Sequence, residues 1–473
     1  MSSSLNRRLL PNLLPSSHVP PFPRRPNLSL RRSVASLPSS SRQRAFFTRA
    51  TAAPTRTSRK MTFIRTFTAG SSRAASPQDE EGSKRANARK AAEIARDFRT
   101  DTITVPTDEM CAIMSRASRG DDVYGEDQAT SDFEEKVARL AGKEAAMFAV
   151  SGTMTNQLAI RAHLTQPPHS IVLDSRAHIH QHEGGAAALL SQATSRTIKP
   201  ENGHHITLDE VLDIIVEGDD IHTAPTKIVC LENTLSGMVF PQDEIVKISE
   251  AMHDHGILMH LDGARLWEVV AASGSSLEEL CRPFDSVSLC MSKGLGAPVG
   301  SVLVGSKEII QKAKWFRKAF GGGIRQSGGL AAGANYALDN HLSLLPRTHA
   351  LAKQLANGLA DLGVRLLLPV ETNMLWIDPS PLGFTLDELA LKARSLGLNM
   401  GASRFIVHHQ ITEDAVQDLL RAVKELKEEH KGRETCSSSA VVDERQNRAF
   451  AEGRWEGNVP HMSTRTTAYA ARK

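Results

Sequence analysis

The chain has 473 residues, a formal net charge of +4, and 40% hydrophobic and 23% charged residues. That length suits more than one domain, the composition is that of a globular protein, and no apolar run reaches the roughly eighteen residues of a membrane-spanning helix. The charge is uneven: residues 1–78 hold thirteen Arg, one Lys and no acid, which leaves −10 for the rest and no case for nucleic-acid binding.

Arg-rich, Ser-rich and free of acid, the opening segment has the composition of an organelle transit peptide. The expectation is a disordered stretch over 1–86, with mitochondrial import or a cytoplasmic location. Residues 431–473 are polar without a sustained period and read as a disordered tail. Between them the pattern predicts a large domain over 87–345 and a smaller α+β domain over 346–430, with residues near 97–110 associated with the latter. Cysteines at 111, 230, 281, 290 and 436 form no CxxC pair and read as reduced thiols.

In chain order, ordered sequence is expected to begin near Asn87. A polar stretch Asp97–Thr102 leads to a helix started by Pro106. Gly120–Asp127 is an acid-rich and glycine-bearing loop with Tyr124 in its middle. A helix over Phe133–Ala141 and a strand over Ala145–Val150 precede Ser151-Gly152-Thr153-Met154-Thr155-Asn156, with a helix expected from Gln157. A strand, a small polar loop and a helix start aim free N–H groups and hydroxyls at one spot, which is a seat for phosphate.

A strand over Ser170–Asp174 is followed by His178, His180 and His182. Spacing of two on a helix points the rings apart, and no second cluster completes a metal site. One of these histidines suits a ring-stacking role better. Further strands are expected at Lys227–Glu232, Ile257–Leu261 and Phe284–Met291. They alternate with helices, one of them opened by a Thr207–Glu210 capping box. Polar residues fall just after each strand end, as in a parallel α/β sheet that binds ligand at its carboxyl edge. After Gly321–Gly323 long helical sequence runs to Leu362. Strands at Val364–Leu368, Met374–Ile377 and Ser403–Val407, with helices from Thr385 and Thr412, complete the chain.

Lys293 stands at the mouth of a strand among small residues, where a lysine has room to form a Schiff base with a carbonyl cofactor. Asp262 ends the preceding strand. Together they match what pyridoxal 5'-phosphate needs: a lysine for the Schiff base, an aspartate for the pyridine nitrogen, a helix start for the phosphate and an aromatic ring for stacking.

Seven motifs occur in order: DFRTDTIT at 97, GDDVYGED at 120, SGTMTNQ at 151, ENT at 232, HLDGARL at 260, SKGLGAPVGS at 292 and GGGIRQ at 321. From about Asp97 to Leu426 the sequence resembles the low-specificity L-threonine aldolases. That resemblance implies the aspartate-aminotransferase fold, which is fold type I of pyridoxal-phosphate enzymes: a large domain on a mostly parallel sheet and a smaller C-terminal domain. It implies Lys293 as the Schiff-base lysine, Asp262 on the ring nitrogen and His178 stacked on the ring, where it also serves catalysis. Gly152 and Thr153 hold the phosphate. Arg265 sits beside the cofactor and, with Thr100 and Arg404, holds the substrate. Tyr124 and Arg325 reach the site of a neighbouring subunit in a homo-oligomer, a tetramer.

Leu235 departs from the pattern, because many bacterial members carry His at that place, near the substrate's β-hydroxyl. His178 or an ordered water is then expected to take the hydroxyl proton. The reaction implied is cleavage of L-threonine or L-allo-threonine to glycine and acetaldehyde. An amino-acid racemase on the same scaffold, which needs no such base, is the second reading. A non-catalytic relative is the third.

Overall fold

The computed structural model of the protein describes residues 77–434, and all of them belong to one compact unit. The segment read as a transit peptide up to residue 76, and the tail from residue 435, lie outside the described residues. Order begins earlier than expected: a helix spans Pro77–Ile94, upstream of Asn87. Its charges pair one turn apart, Arg85 with Glu81 and Lys90 with Glu93, which supports an exposed helix without a wide apolar face.

The central sheet has seven strands: β1 (Ala145–Ala149), β2 (Ser170–Asp174), β3 (Thr194–Ile198), β4 (Thr226–Glu232), β5 (Leu258–Gly263), β6 (Ser286–Cys290) and β7 (Ser301–Gly305). Their order is β1-β7-β6-β5-β4-β2-β3, parallel from β6 through β3, with β7 antiparallel to both its neighbours. The apolar runs in β4, β5 and β6 are buried on both faces. Val229, Leu231, Leu261 and Val287 pack into one core, while Ile228 and Cys230 turn to another with Ile171 and Leu173. Burial of each such large side chain contributes about 1.5–3 kcal/mol. β3 was not expected. Its sequence TSRTI is polar, and Thr194 and Ser195 are exposed at the sheet edge, so no apolar period marks it.

Local chemistry shifts several helix starts. Thr107, not Pro106, caps the helix Asp108–Arg116, its hydroxyl accepting from Met110 N. The helix expected from Gln157 runs over Gly152–His163, because Ser151 caps it and accepts from Met154 N. The capping boxes at Thr207–Glu210 and Thr385–Glu388 form as expected.

A second sheet holds β8 (Arg365–Leu366), β9 (Met374–Asp378) and β10 (Arg404–Ile406), all antiparallel, in the order β10-β9-β8. Its core includes Phe98, Leu355, Leu375, Phe405 and Leu419. Ile406 N donates to Phe98 O at 2.8 Å, so the DFRTDT segment joins this sheet. The last helix, Glu413–Glu434, extends past the expected end near Glu428. Trp376 Nε1 donates to Ser236 O at 3.0 Å and Thr372 Oγ1 to Gly237 O at 2.7 Å. These bonds fix β9 and its neighbour β10 against the loop that leaves β4.

Candidate active site

The carboxyl ends of β4, β5 and β6 lie side by side. Their register sets Glu232 opposite Asp262, and Asp262 opposite Ser288. Asp262 is buried. It accepts from Asn156 Nδ2 at 2.8 Å on one oxygen and from Ala264 N at 3.0 Å on the other. Burial raises its pKa, with Glu183 adding to the rise, against the opposing pull of Lys293 and His178. Glu232 is raised in turn by burial and by the Asp262 charge beside it.

His178 opens a short helix, His178–Gln181, just beyond β2. Its Nδ1 meets Glu183 Oε1 at 2.9 Å, and its backbone N donates to Glu232 Oε2 at 2.7 Å. The hydrogen bond to Glu183 raises the imidazole pKa, so the ring is held toward its charged form. Asn156 Nδ2 and Gln157 Nε2 donate to the two oxygens of Glu183 at 3.0 and 2.6 Å. One amide, Asn156, thereby ties Glu183 and Asp262 together. Ligand-type atoms of His178, Glu183 and Asp262 all fall within 4.8 Å of one another, with Asn156 bonded to both carboxylates and Gln157 to Glu183.

Lys293 sits in the loop between β6 and β7. Gly296 N bonds to Lys293 O at 2.8 Å, Ala297 N to Met291 O at 3.0 Å and Met291 N to Gly300 O at 3.0 Å, so the lysine is carried on a folded turn. Gly300 closes that turn at φ 118° against the Phe148 ring, where a side chain would collide. Thr104 Oγ1 donates to Lys293 O at 3.4 Å, which places the Thr100–Thr104 turn alongside. Thr100 caps that turn and accepts from Thr102 N.

The next residue, Asp101, takes both arms of Arg265, at 2.8 and 2.7 Å. Burial opposes ionisation of Asp101, but the guanidinium overcomes it and holds the carboxyl down to about 2. The structure therefore commits the Arg265 fork to Asp101. Arg265, expected beside the cofactor and substrate, uses its Nε and Nη2 to lock the turn that carries Thr100.

Arg404 differs. It begins β10, half-buried, with its guanidinium 5.9 Å from the Trp376 ring centroid and no carboxylate partner among the described residues. Burial, and then the charge of Arg265, lower its pKa. A part-buried guanidinium without an acid of its own is suited to a carboxylate supplied from outside.

At the far side, the helix Gly152–His163 leaves the Gly152 and Thr153 amides without a helical partner, since Ser151 Oγ takes Met154 N and Ser151 O takes Thr155 N. Tyr124 is 80% exposed and Arg325 is exposed too. Their two loops meet: Asp122 N donates to Arg325 O at 2.8 Å, and Asp122 pairs with buried Arg317 at 2.7 Å.

Sequence reading missed Asn156, Glu183, Glu232 and Asp101. Asn156, Glu232 and Asp101 stand inside motifs already singled out (SGTMTNQ, ENT and DFRTDTIT) and Glu183 directly follows His182, but a polar residue in or beside a motif carries no sign of burial. Asp101 shows its part only once Arg265 is brought against it.

Sheet order, a lysine loop leading into an antiparallel return and an aspartate at the neighbouring strand end define fold type I of the pyridoxal-phosphate enzymes. Among solved structures, that of Leishmania major threonine aldolase matches with TM-score 0.62 at 20% identity, over 70% of this chain and 99% of that one, a likeness of fold. The sequence matches the β-eliminating lyase family over residues 97–380. A Schizosaccharomyces pombe protein named "Probable low-specificity L-threonine aldolase" is 49% identical over 328 residues, 69% of this chain and 86% of that protein. A Cochliobolus carbonum protein named "Alanine racemase TOXG" is 37% identical over 332 residues, 68% of this chain and 85% of that protein. The chain belongs to the β-eliminating lyase family, among its low-specificity L-threonine aldolases.

Proposed function

We propose that the protein is a pyridoxal-phosphate-dependent aldehyde-lyase that cleaves L-threonine and L-allo-threonine to glycine and acetaldehyde. The observation that carries the reading is the placement of Lys293 and buried Asp262 at adjacent strand ends with Arg404, a guanidinium that has no carboxylate partner among the described residues. Release of acetaldehyde from L-threonine by the purified protein tests it.

The residues fit the cofactor. Asp262 is a buried carboxyl with its charge only partly offset, so a protonated ring nitrogen completes it. The two free amides at Gly152 and Thr153 suit a phosphate. Lys293 would hold the aldehyde carbon and His178 would cover the ring face. When bound, pyridoxal phosphate supplies an electron-withdrawing ring for the pair released when a bond to Cα breaks.

The protein's own residues do the rest. Arg404 binds the α-carboxylate, and that grip chooses which Cα bond is turned to break. Asn156 keeps Asp262 and Glu183 in register, and Glu183 keeps His178 oriented. Arg265 and Asp101 hold the Thr100 turn rigid beside Lys293. The reaction consumes a β-hydroxy amino acid and makes glycine, so threonine breakdown and glycine supply are its metabolic setting. The greater identity to a threonine-aldolase relative than to the racemase-named one favours aldol cleavage over racemisation.

We also propose a homo-oligomer, a tetramer. Tyr124 and Arg325 support this, because their meeting loops present both side chains to the outside of one subunit. Light scattering is expected to give at least the dimer mass for active enzyme; an active monomer would rule out shared sites.

A further inference from the structure

Aldol cleavage needs an acceptor for the β-hydroxyl proton. Leu235 offers none: it is buried, in a cavity of about 10 Å³ lined also by Met238, Phe240 and Glu232. His178 suits the task poorly, since its Nδ1 is engaged by Glu183 and that bond favours the imidazolium, which has no lone pair to offer.

One turn further on stands His182. Its ring centroid is 5.6 Å from that of His178, tilted by 58°, and its backbone N bonds to His178 O at 2.8 Å. The ring is exposed and has no carboxylate partner among the described residues. Two charged groups act on it, His178 from its own turn and Arg404 from the start of β10. It therefore lies beside the histidine expected to stack on the ring, within reach of the Arg404 charge. Burial, and then the two cations, lower its pKa, so the imidazole is neutral at physiological pH.

We propose that His182 is a catalytic residue, the acceptor of the β-hydroxyl proton. This rests on the aldol-cleavage reading. The O–H bond breaks and its proton goes to a free nitrogen of the His182 ring. The O–H electron pair becomes the second bond of the aldehyde C=O. The Cα–Cβ bond breaks with its pair going to Cα, a solvent proton completes glycine there, and His182 gives its proton back to solvent. A residue that touches only the β-hydroxyl does not serve glycine, which has none.

The experiment compares holoenzyme with His182→Asn and His182→Phe. Readouts are aldehyde release from L-allo-threonine across pH, exchange of the glycine Cα proton for deuterium, and glycine affinity from the shift in cofactor absorbance. Both variants are expected to lose about 100-fold in kcat/KM for aldehyde release. Glycine affinity and exchange should stay within about twofold of wild type. Wild-type activity should fall as pH drops through a value below the ordinary histidine pKa of about 6.5, and that acid limb should vanish in the variants. Aldehyde release within about threefold of wild type, acid limb intact, overturns the assignment; so does a parallel loss of glycine exchange, which marks a structural role. A wild-type protein that exchanges glycine but releases no aldehyde from any β-hydroxy amino acid overturns the proposed function first, and this inference with it.

Discussion

Replacing Lys293 with Ala is expected to lower aldehyde release by at least about a thousandfold and to abolish the visible absorbance of lysine-linked cofactor. The expectation follows from position. Lys293 is carried on a hydrogen-bonded turn between β6 and β7 whose bonds are made by backbone atoms of Met291, Lys293, Gly296, Ala297 and Gly300. Loss of its side chain leaves that turn intact, so the defect should be chemical rather than a failure to fold. Its charge also acts on Asp262 and Glu232 in the same cleft. Removing it deprives two crowded carboxyls of a cation, and their protonation should rise. Circular dichroism and thermal melting separate the two effects: the fold should persist while absorbance and turnover vanish. A variant with full activity would show the cofactor assignment to be wrong.

The next largest effect is expected at Arg404. The two sheets hold separate cores, and bonds such as those of Trp376 and Thr372 to the loop leaving β4 help bring Arg404 within reach of the Arg265 and Asp101 charges. Every substrate considered carries an α-carboxylate. Losing a charge-assisted fork to it should cost about 2–5 kcal/mol, so Arg404→Ala should lower kcat/KM at least about tenfold for each amino acid tested. Cofactor content should not change. Arg404→Lys should recover little, because an ammonium cannot present two parallel donors. The alternative clamp, Arg265, is weakened by the structure: Asp101 already occupies its fork. If Arg404→Ala lost the cofactor, or left kcat/KM unchanged, the carboxylate site would have to be sought elsewhere.

Much of this was legible in the sequence, for a physical reason. Buried strands such as β4, β5 and β6 are largely apolar, and the polar residues at or just beyond their carboxyl ends mark the ligand edge. Asp262 and Lys293 stand out that way, and so does the cap at Ser151. The caps at Thr207 and Thr385 are equally local signals. What stayed hidden depends on meetings across the chain. β3 is a polar edge strand that only pairing with β2 defines. Asp101 looks like any acid in a turn until Arg265, 164 residues away, closes on it. Asn156 has no local mark of its two hydrogen bonds, to Glu183 and to Asp262. His182 was read as one of three evenly spaced histidines; that its ring stands beside His178 and feels the Arg404 charge is a property of the folded chain.

The measurement that bears most directly on the central claim is incubation of purified holoenzyme with L-threonine, L-allo-threonine and L-alanine in parallel. Acetaldehyde and glycine are assayed in the first two and chirality in the third. Equimolar acetaldehyde and glycine are expected from at least one threonine isomer, with alanine keeping its configuration. Loss of alanine's optical activity without any acetaldehyde from either threonine would contradict the aldol-cleavage reading and identify a racemase.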